Sequence, residues 1–313
     1  MENPIALTVV VISIFITFYI SWYSRRWTRT TTDFYVAGGQ IPWKLNGLAM
    51  FGDYSSAASF LGIAGAIALS GLDSWWIALG FFAAWIVVLF ILAGPLKNTG
   101  KFTVGDVLSS RFDGSVVKML AMLITIIIGT LYLVPQIVGA GHLFELLLGW
   151  NYLTTVVVVG ALMGLLVVMG GMRGTTYNQA FQGIVLMFAM AALLILSVIF
   201  YFDFNPFNIL GQAGNTIPPT LAQATTGAVM AANPDIGTQA LIEAVRGEMS
   251  EAATAMTPGV AVRDSLNQFS LVLGLFLGVL GLPHVLIRFY TVKDSKSAQK
   301  SAAATIVGLA VFY

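Results

Sequence analysis

Hydrophobic positions in this chain come in long unbroken blocks, unlike the alternating or one-faced patterns of water-soluble strands and helices. Segments such as Met119 to Val134 and Val156 to Met169 contain no charge and leave no polar face for water. A hydrocarbon core of roughly 30 Å takes about 20 apolar residues as a helix, and the chain supplies that length repeatedly. Eight spans are predicted, at about 5–23, 45–70, 74–96, 116–148, 152–170, 178–201, 266–289 and 298–313. The eighth reaches Tyr313 without a cap, a turn or a flanking charge, so the chain is expected to be a fragment of a longer protein.

The polar intervals between the blocks are mostly short. The exception runs from about 202 to 265, where Asn205-Pro206, Pro218-Pro219 and Asn233-Pro234 break the chain. Within it, Gly237 to Ala255 has the polarity of a short amphipathic helix, and Gly100–Gly114 is a second candidate for a small surface helix. The first block begins with Glu2 rather than a basic segment and is followed by Arg25 and Arg26 without a small-residue cleavage site. It reads as a retained helix, not a signal peptide.

Charge then orients the spans. With the N-terminus outside, the inner loops carry Arg25, Arg26, Arg29, Lys44, Lys97, Lys101, Arg111, Lys118, Arg173, Arg288, Lys293, Lys296 and Lys300, leaving only Arg246 and Arg263 on the outer side. Cytoplasmic loops are enriched in Lys and Arg, so this orientation is expected. Trp22, Trp27, Trp43, Trp75, Trp76 and Trp150 fall near span ends, as an interfacial aromatic belt requires. Apolar residues make up 58% of the chain and charged ones 9%, against about 25% charged in soluble domains. A soluble enzyme and a nucleic-acid binder are thereby excluded. Cysteine is absent and only His142 and His284 represent histidine, which leaves no thiolate or histidine-rich metal centre.

Against this background one acid stands out. Asp53 lies inside the second span, in LNGLAMFGDYSSAASFLGIAGAIAL. A carboxylate at that depth costs about 2.5–3.5 kcal/mol on insertion scales and needs water, a cation or a partner. Gly47, Gly52, Gly62 and Gly65 let the helix break, and Ser55, Ser56 and Ser59 offer oxygens. Carbonyls freed at a break, hydroxyls and a carboxylate suit a hard cation; an aspartate hydrogen-bonded to neighbouring helices is the plainer reading. The seventh span is interrupted as well. Gly274, Gly278 and Gly281 precede Pro283, which lacks a backbone donor; His284 follows, as a structural histidine or a proton carrier, and Arg288 closes the span on the inner side. Two interrupted helices in corresponding positions point to an inverted-repeat transporter with its site at the midplane. In the fourth span Tyr132 and Gln136 lie one turn apart, facing a cavity or a neighbouring helix, while His142 and Glu145 belong to its outer end.

The stretches DFYVAGG (33–39), GDYSSAASFLG (52–62), GKFTVGDVLSSRF (100–112), LYLVPQIVGAG (131–141), GGMRGTTYNQAFQ (170–182) and GLPHVLIRFYTVKD (281–294) resemble the sodium/solute symporter family. Their order and spacing cover nearly the whole chain. Within that family the wording is most similar to bacterial cation/acetate symporters (acetate permeases) and related monocarboxylate carriers.

The resemblance implies an all-α integral membrane fold of two five-helix inverted repeats, an extra helix at 5–23, a first repeat at about 45–201, an extracellular loop at about 202–265 and a second repeat opening at 266–313. All of 1–313 is then one transmembrane domain in a bacterial inner membrane. It implies a cation-binding group at Phe51, Asp53, Tyr54 and Ser55, with the ion held by carbonyls at the break and by hydroxyls of a helix beyond Tyr313. Ser56, Gln136, Leu275, Val279, Gly281 and Pro283 are the corresponding substrate-binding candidates. Val279 and Leu275 stand where the proline-transporting branch has aromatics, so the pocket suits a small acid with a short apolar tail. Asn178-Gln179 replaces the Thr-Asp of many sugar and proline carriers in an inner loop, which argues against those branches. The function implied is Na⁺- or H⁺-coupled import of acetate or a similar monocarboxylate, with substrate, cation and lipid as partners, no organic cofactor and no catalysis. Alternatives are another small solute (pyruvate, propionate, proline) or the symporter-like membrane module of a sensor kinase.

Overall fold

A computed structural model describes residues 4–100, 103–112, 114–250, 254, 256 and 264–313. It is all helical; among the described residues the one extended pairing is a single parallel bridge between Ile41 and Val292. The first helices are α1 (Pro4–Ser24), α2 (Thr31–Val36), α3 (Trp43–Tyr54), α4 (Ala64–Ser70), α5 (Trp75–Val87), α6 (Ala93–Asn98), α7 (Val104–Arg111) and α8 (Ser115–Leu148). They are followed by α9 (Tyr152–Tyr201), α10 (Phe207–Asn215), α11 (Pro219–Ala232), α12 (Thr238–Ser250), α13 (Ser265–Leu280), α14 (Pro283–Leu286) and α15 (Ser295–Phe312). Among the described residues four helical runs are long and apolar enough to cross a membrane, or five if α13 and the segment from Pro283 to Tyr290 form one broken span. Large apolar side chains on α1 and α8, among them Ile5, Phe15, Leu131 and Leu146, point outward; on a membrane helix such a face meets lipid.

The small helices start where the side chains dictate. Thr30 with Asp33 and Thr103 with Asp106 each form a capping box at the head of α2 and α7, so the helix expected within Gly100–Gly114 is present. The amphipathic helix expected from Gly237 is α12. It is joined in the 202–265 interval by α10 and α11, which the proline-rich sequence did not reveal. Ala255, Lys101 and Arg263 lie outside the described residues.

Two breaks interrupt the apolar runs as the sequence suggested. Ser55 leaves helical geometry at φ −76°, ψ 63°, and Leu282 does so at φ −68°, ψ 110°, with Pro283 as the first residue of α14. A third break differs from expectation. At Gly171 the backbone takes φ 54°, ψ −160° within α9, a conformation that favours glycine. Helix resumes at once, so 172–177 is helical where an inner loop was expected, and Asn178-Gln179 stand on a helix.

The chain divides into two compact units. The first comprises Met1–Ala58, Phe82–Phe188 and Leu277–Tyr313. Its core contains Met50, Trp85, Val88, Phe289, Val292 and Leu309, all fully buried. Here α15 packs along α3: a Cβ on Gly47 would sit 2.7 Å from that of Ala304, and one on Gly308 would press into the Phe51 ring. Thr305 donates to the Gly47 carbonyl at 3.0 Å and Ser301 to that of Trp43 at 3.2 Å. The second unit comprises Ser59–Phe81 and Ala189–Phe276. Within it Leu275 packs on Gly80, and Thr220 donates to the Leu69 carbonyl at 2.8 Å.

Candidate functional site

Asp53 occupies the last turn of α3, directly before the break at Ser55. That is the negative end of the helix dipole, where a carboxylate is disfavoured and a cation favoured by roughly 0.3–1 kcal/mol. The local sequence explains how neighbours reach it. Gly52 and Gly183 let α3 and the second half of α9 touch backbone to backbone; a Cβ on Gly183 would lie 3.0 Å from the Gly52 Cα, and one on Gly52 would collide with the Gln179 carbonyl. This crossing delivers Gln179, whose amide donates to Asp53 Oδ1 at 2.6 Å.

The other carboxylate oxygen faces Arg288. Its Nε is 3.8 Å from Asp53 Oδ2, close enough for an ion pair but too far for a hydrogen bond. The Arg288 side chain is 4% exposed and that of Asp53 17%. Arg288 Nη1 donates to Thr176 Oγ1 at 2.6 Å and approaches Met172 Sδ at 3.4 Å. Its Nε has no hydrogen-bond partner among the described residues. Arg288, expected to close its span on the inner side, has its guanidinium buried and turned towards Asp53. A charge buried as deeply as Arg288 costs several kcal/mol alone, and the partly exposed carboxylate of Asp53 beside it offsets that cost.

Around the pair lies a cavity of about 280 Å³, lined among others by Phe34, Val167, Met172, Gln179, His284 and Ile287. A larger one of about 550 Å³ shares Met172, His284 and Ile287 and extends to Thr103, Asp106 and Lys118 beside α7 and α8. His284 does not take the hydrogen-bonded role expected of a structural histidine. Its ring packs on Tyr132 at 4.4 Å between centroids, and its buried Nε2 has no partner among the described residues. The Tyr132 phenol interacts with Ser56, so Ser56 and the Pro283–His284 turn meet on the same tyrosine.

The remaining candidates distribute as follows. The Phe51 and Tyr54 carbonyls accept from Ser55 N and Ser56 N, both at 2.9 Å; in bonding Tyr54, Ser56 N leaves the Gly52 carbonyl without the donor a continuous helix provides. The Phe51 ring packs on Phe312 at 5.8 Å, and Tyr54 on Trp85 at 5.3 Å. Ser55 is buried and its hydroxyl has no partner among the described residues, and the same holds for Gln136 Nε2. Val279 is 1% exposed. Gly281 and Pro283 form the second break in the same unit, whereas Leu275 belongs to the other unit. Sequence reasoning missed Gln179, Thr176 and Met172 as neighbours of this site. One signal is present in the sequence: Asn178-Gln179 stands out by residue type.

The family model for sodium:solute symporters matches residues 34–313. An uncharacterized symporter of Bacillus subtilis (strain 168), YwcA, is 41% identical over 298 residues, covering 95% of this chain and 52% of that protein. A solved structure of a Na⁺-coupled sialic acid symporter in a substrate-bound outward-open state aligns with a TM-score of 0.67 at 15% identity. That alignment spans 98% of this chain and 58% of the other, and it speaks to the fold alone. The chain spans about half the length of the curated relative it matches. With the match running from Phe34 to Tyr313, the chain belongs to the sodium:solute symporter family.

Proposed function

We propose that the protein containing this chain is a multi-pass symporter that imports a short-chain monocarboxylate such as acetate together with a cation, Na⁺ by preference, by alternating access. The observation that carries the reading is the partly buried Asp53 at the broken end of α3, beside a cavity that it lines together with the buried Arg288. Membership of a sodium:solute symporter family supports cation coupling, and the sialic acid symporter of similar fold is itself Na⁺-coupled.

Phe51, Tyr54 and Ser55 supply the carbonyls and hydroxyl of the cation site in this reading, with Asp53 providing charge. Ser56, Gln136, Val279, Gly281 and Pro283 are the substrate-binding residues in this reading, and an aliphatic Val279 suits a short apolar tail better than an aromatic-stacked ring. Coupling requires that cation and substrate each favour one conformational state over the other. The setting is the bacterial inner membrane with the N-terminus outside, from the distribution of Lys and Arg.

The test uses the full-length protein in proteoliposomes. Labelled acetate should accumulate under an inward Na⁺ gradient and not under K⁺, and propionate or pyruvate should compete where proline and glucose do not. Uptake that persists undiminished in Asp53→Ala and without any cation gradient overturns the reading.

A further inference from the structure

We infer that Arg288 is a carboxylate-binding residue, and that an incoming carboxylate binds by taking the guanidinium away from Asp53, which is thereby released to accept the coupling cation. The inference rests on the reading of the protein as a carboxylate symporter and assigns the substrate's charged group a specific partner.

Three observations converge on it. The Asp53–Arg288 pair is an ion pair without a hydrogen bond, because 3.8 Å separates Nε from Oδ2. A guanidinium presents five donors in a fork that matches a carboxylate in bidentate fashion. Here one edge is anchored through Nη1 on Thr176, while Nε is buried and lacks a hydrogen-bond partner among the described residues. That is a donor in want of an acceptor.

The second observation is the space in front of it. The cavity of about 280 Å³ touches both Asp53 and Arg288, and Phe34, Val167, Met172 and Ile287 give it an apolar wall. It lies just under the roughly 300–1,000 Å³ of drug-sized sites, and its apolar wall suits a short alkyl tail. The third is His284, whose Nε2 is likewise buried without a partner and lines the same cavity. A carboxylate seated on Arg288 also has this imidazole as a second hydrogen-bonding neighbour.

Charge balance gives the exchange its logic. One internal pair, Asp53 with Arg288, is replaced by two pairs, substrate carboxylate with Arg288 and cation with Asp53. Neither ligand alone leaves the buried site neutral: the anion by itself strands Asp53, and the cation by itself strands Arg288. Because a stranded buried charge is strongly disfavoured, each ligand favours binding of the other, and reciprocity of that coupling follows from linkage.

The experiment is equilibrium binding of labelled acetate and of ²²Na⁺ to the purified full-length protein in detergent. Arg288→Gln is expected to weaken acetate binding by at least about tenfold while ²²Na⁺ still binds, now without needing acetate. Arg288→Lys keeps the charge and loses the fork, so its acetate affinity should fall between those of wild type and Arg288→Gln. Asp53→Asn, a near-isosteric change, removes the internal competitor; acetate should then bind more tightly than to wild type in Na⁺-free buffer and gain nothing from Na⁺. This variant decides the matter even where Arg288→Gln does not fold. Wild-type acetate affinity in Arg288→Gln, or unchanged Na⁺-free affinity in Asp53→Asn, overturns the exchange while the symporter reading stands. No acetate binding by the wild type overturns both.

Discussion

The side-chain amide of Asn46 donates to the backbone carbonyl of Arg288 at 3.1 Å, so the helix that carries Asp53 also grips the residue paired with it. Asn46 and Asp53 are seven positions apart in α3 and share a face of the helix. Thr291 completes the clamp, its single hydroxyl proton shared between the Arg288 carbonyl at 2.7 Å and Asn46 Oδ1 at 3.1 Å. A single helix thus fixes both the backbone and the charge of Arg288.

Asn46 is fully buried, so Asn46→Leu should act through lost hydrogen bonds rather than lost volume. It leaves the Thr291 hydroxyl without its acceptor on Asn46. A destabilisation of about 1–3 kcal/mol is expected, read as a lower midpoint of thermal unfolding in detergent. A midpoint equal to that of wild type would show that the clamp contributes nothing.

The pair itself is accessible to a double-mutant cycle. Removing one partner strands the other in a protein interior, at a cost of roughly 3–5 kcal/mol. Arg288→Met and Asp53→Asn should each destabilise. The combined variant should be less destabilised than the sum of the two, with a coupling of at least about 0.5–3 kcal/mol. Additive effects would mean that the 3.8 Å separation is not an energetic interaction.

Much of this was legible in the sequence, and the limits have a physical cause. The breaks at Ser55 and Leu282 were marked by glycine, serine and proline, whose local effects need no tertiary information. Asp53 was marked by its depth alone. Its partners were not, because a buried carboxylate demands a donor without saying which. Gln179 lies 126 positions away in the chain and is brought near only by the Gly52–Gly183 crossing. By sequence Arg288 counts among the basic residues of the inner side, and long basic side chains near span ends ordinarily snorkel to the interface. Its neighbour Asp53 reverses that preference. The Gly170-Gly171 pair resembles a loop start by composition, yet a single residue at φ 54° suffices to restart the helix.

The crossing can be tested by filling it. Gly52→Ala places a methyl group against the Gln179 carbonyl, where neither backbone can yield without parting α3 from α9. Overpacking of this kind costs about 1–3 kcal/mol, and separation of the helices should also abolish any Na⁺ dependence of acetate uptake. Gly129→Ala in α8 meets nothing within 4 Å and should leave both stability and uptake unchanged. Equal behaviour of the two variants would remove the crossing as the feature that brings Gln179 to Asp53.

A last prediction concerns pH at the head of α15. Asp294 accepts from Ser297 N at 2.7 Å as the helix N-cap. Its carboxyl is held below the usual value of 3.8 first by the Ser297 backbone bond, then by the Ser297 side chain, with Lys293 and Lys296 adding to the effect. The sign follows from the direction. The folded protein holds the proton less tightly than the unfolded chain, so the stabilisation is present above the unfolded pKa and disappears as pH falls through the lower folded value. Asp294→Asn keeps a capping oxygen without the charge. Its thermal midpoint should fall less than that of wild type as the buffer is acidified from about pH 6 to about pH 3, whereas Asp294→Ala should be less stable than wild type at neutral pH. Parallel acid profiles for wild type and Asp294→Asn would show that the cap acts through geometry alone.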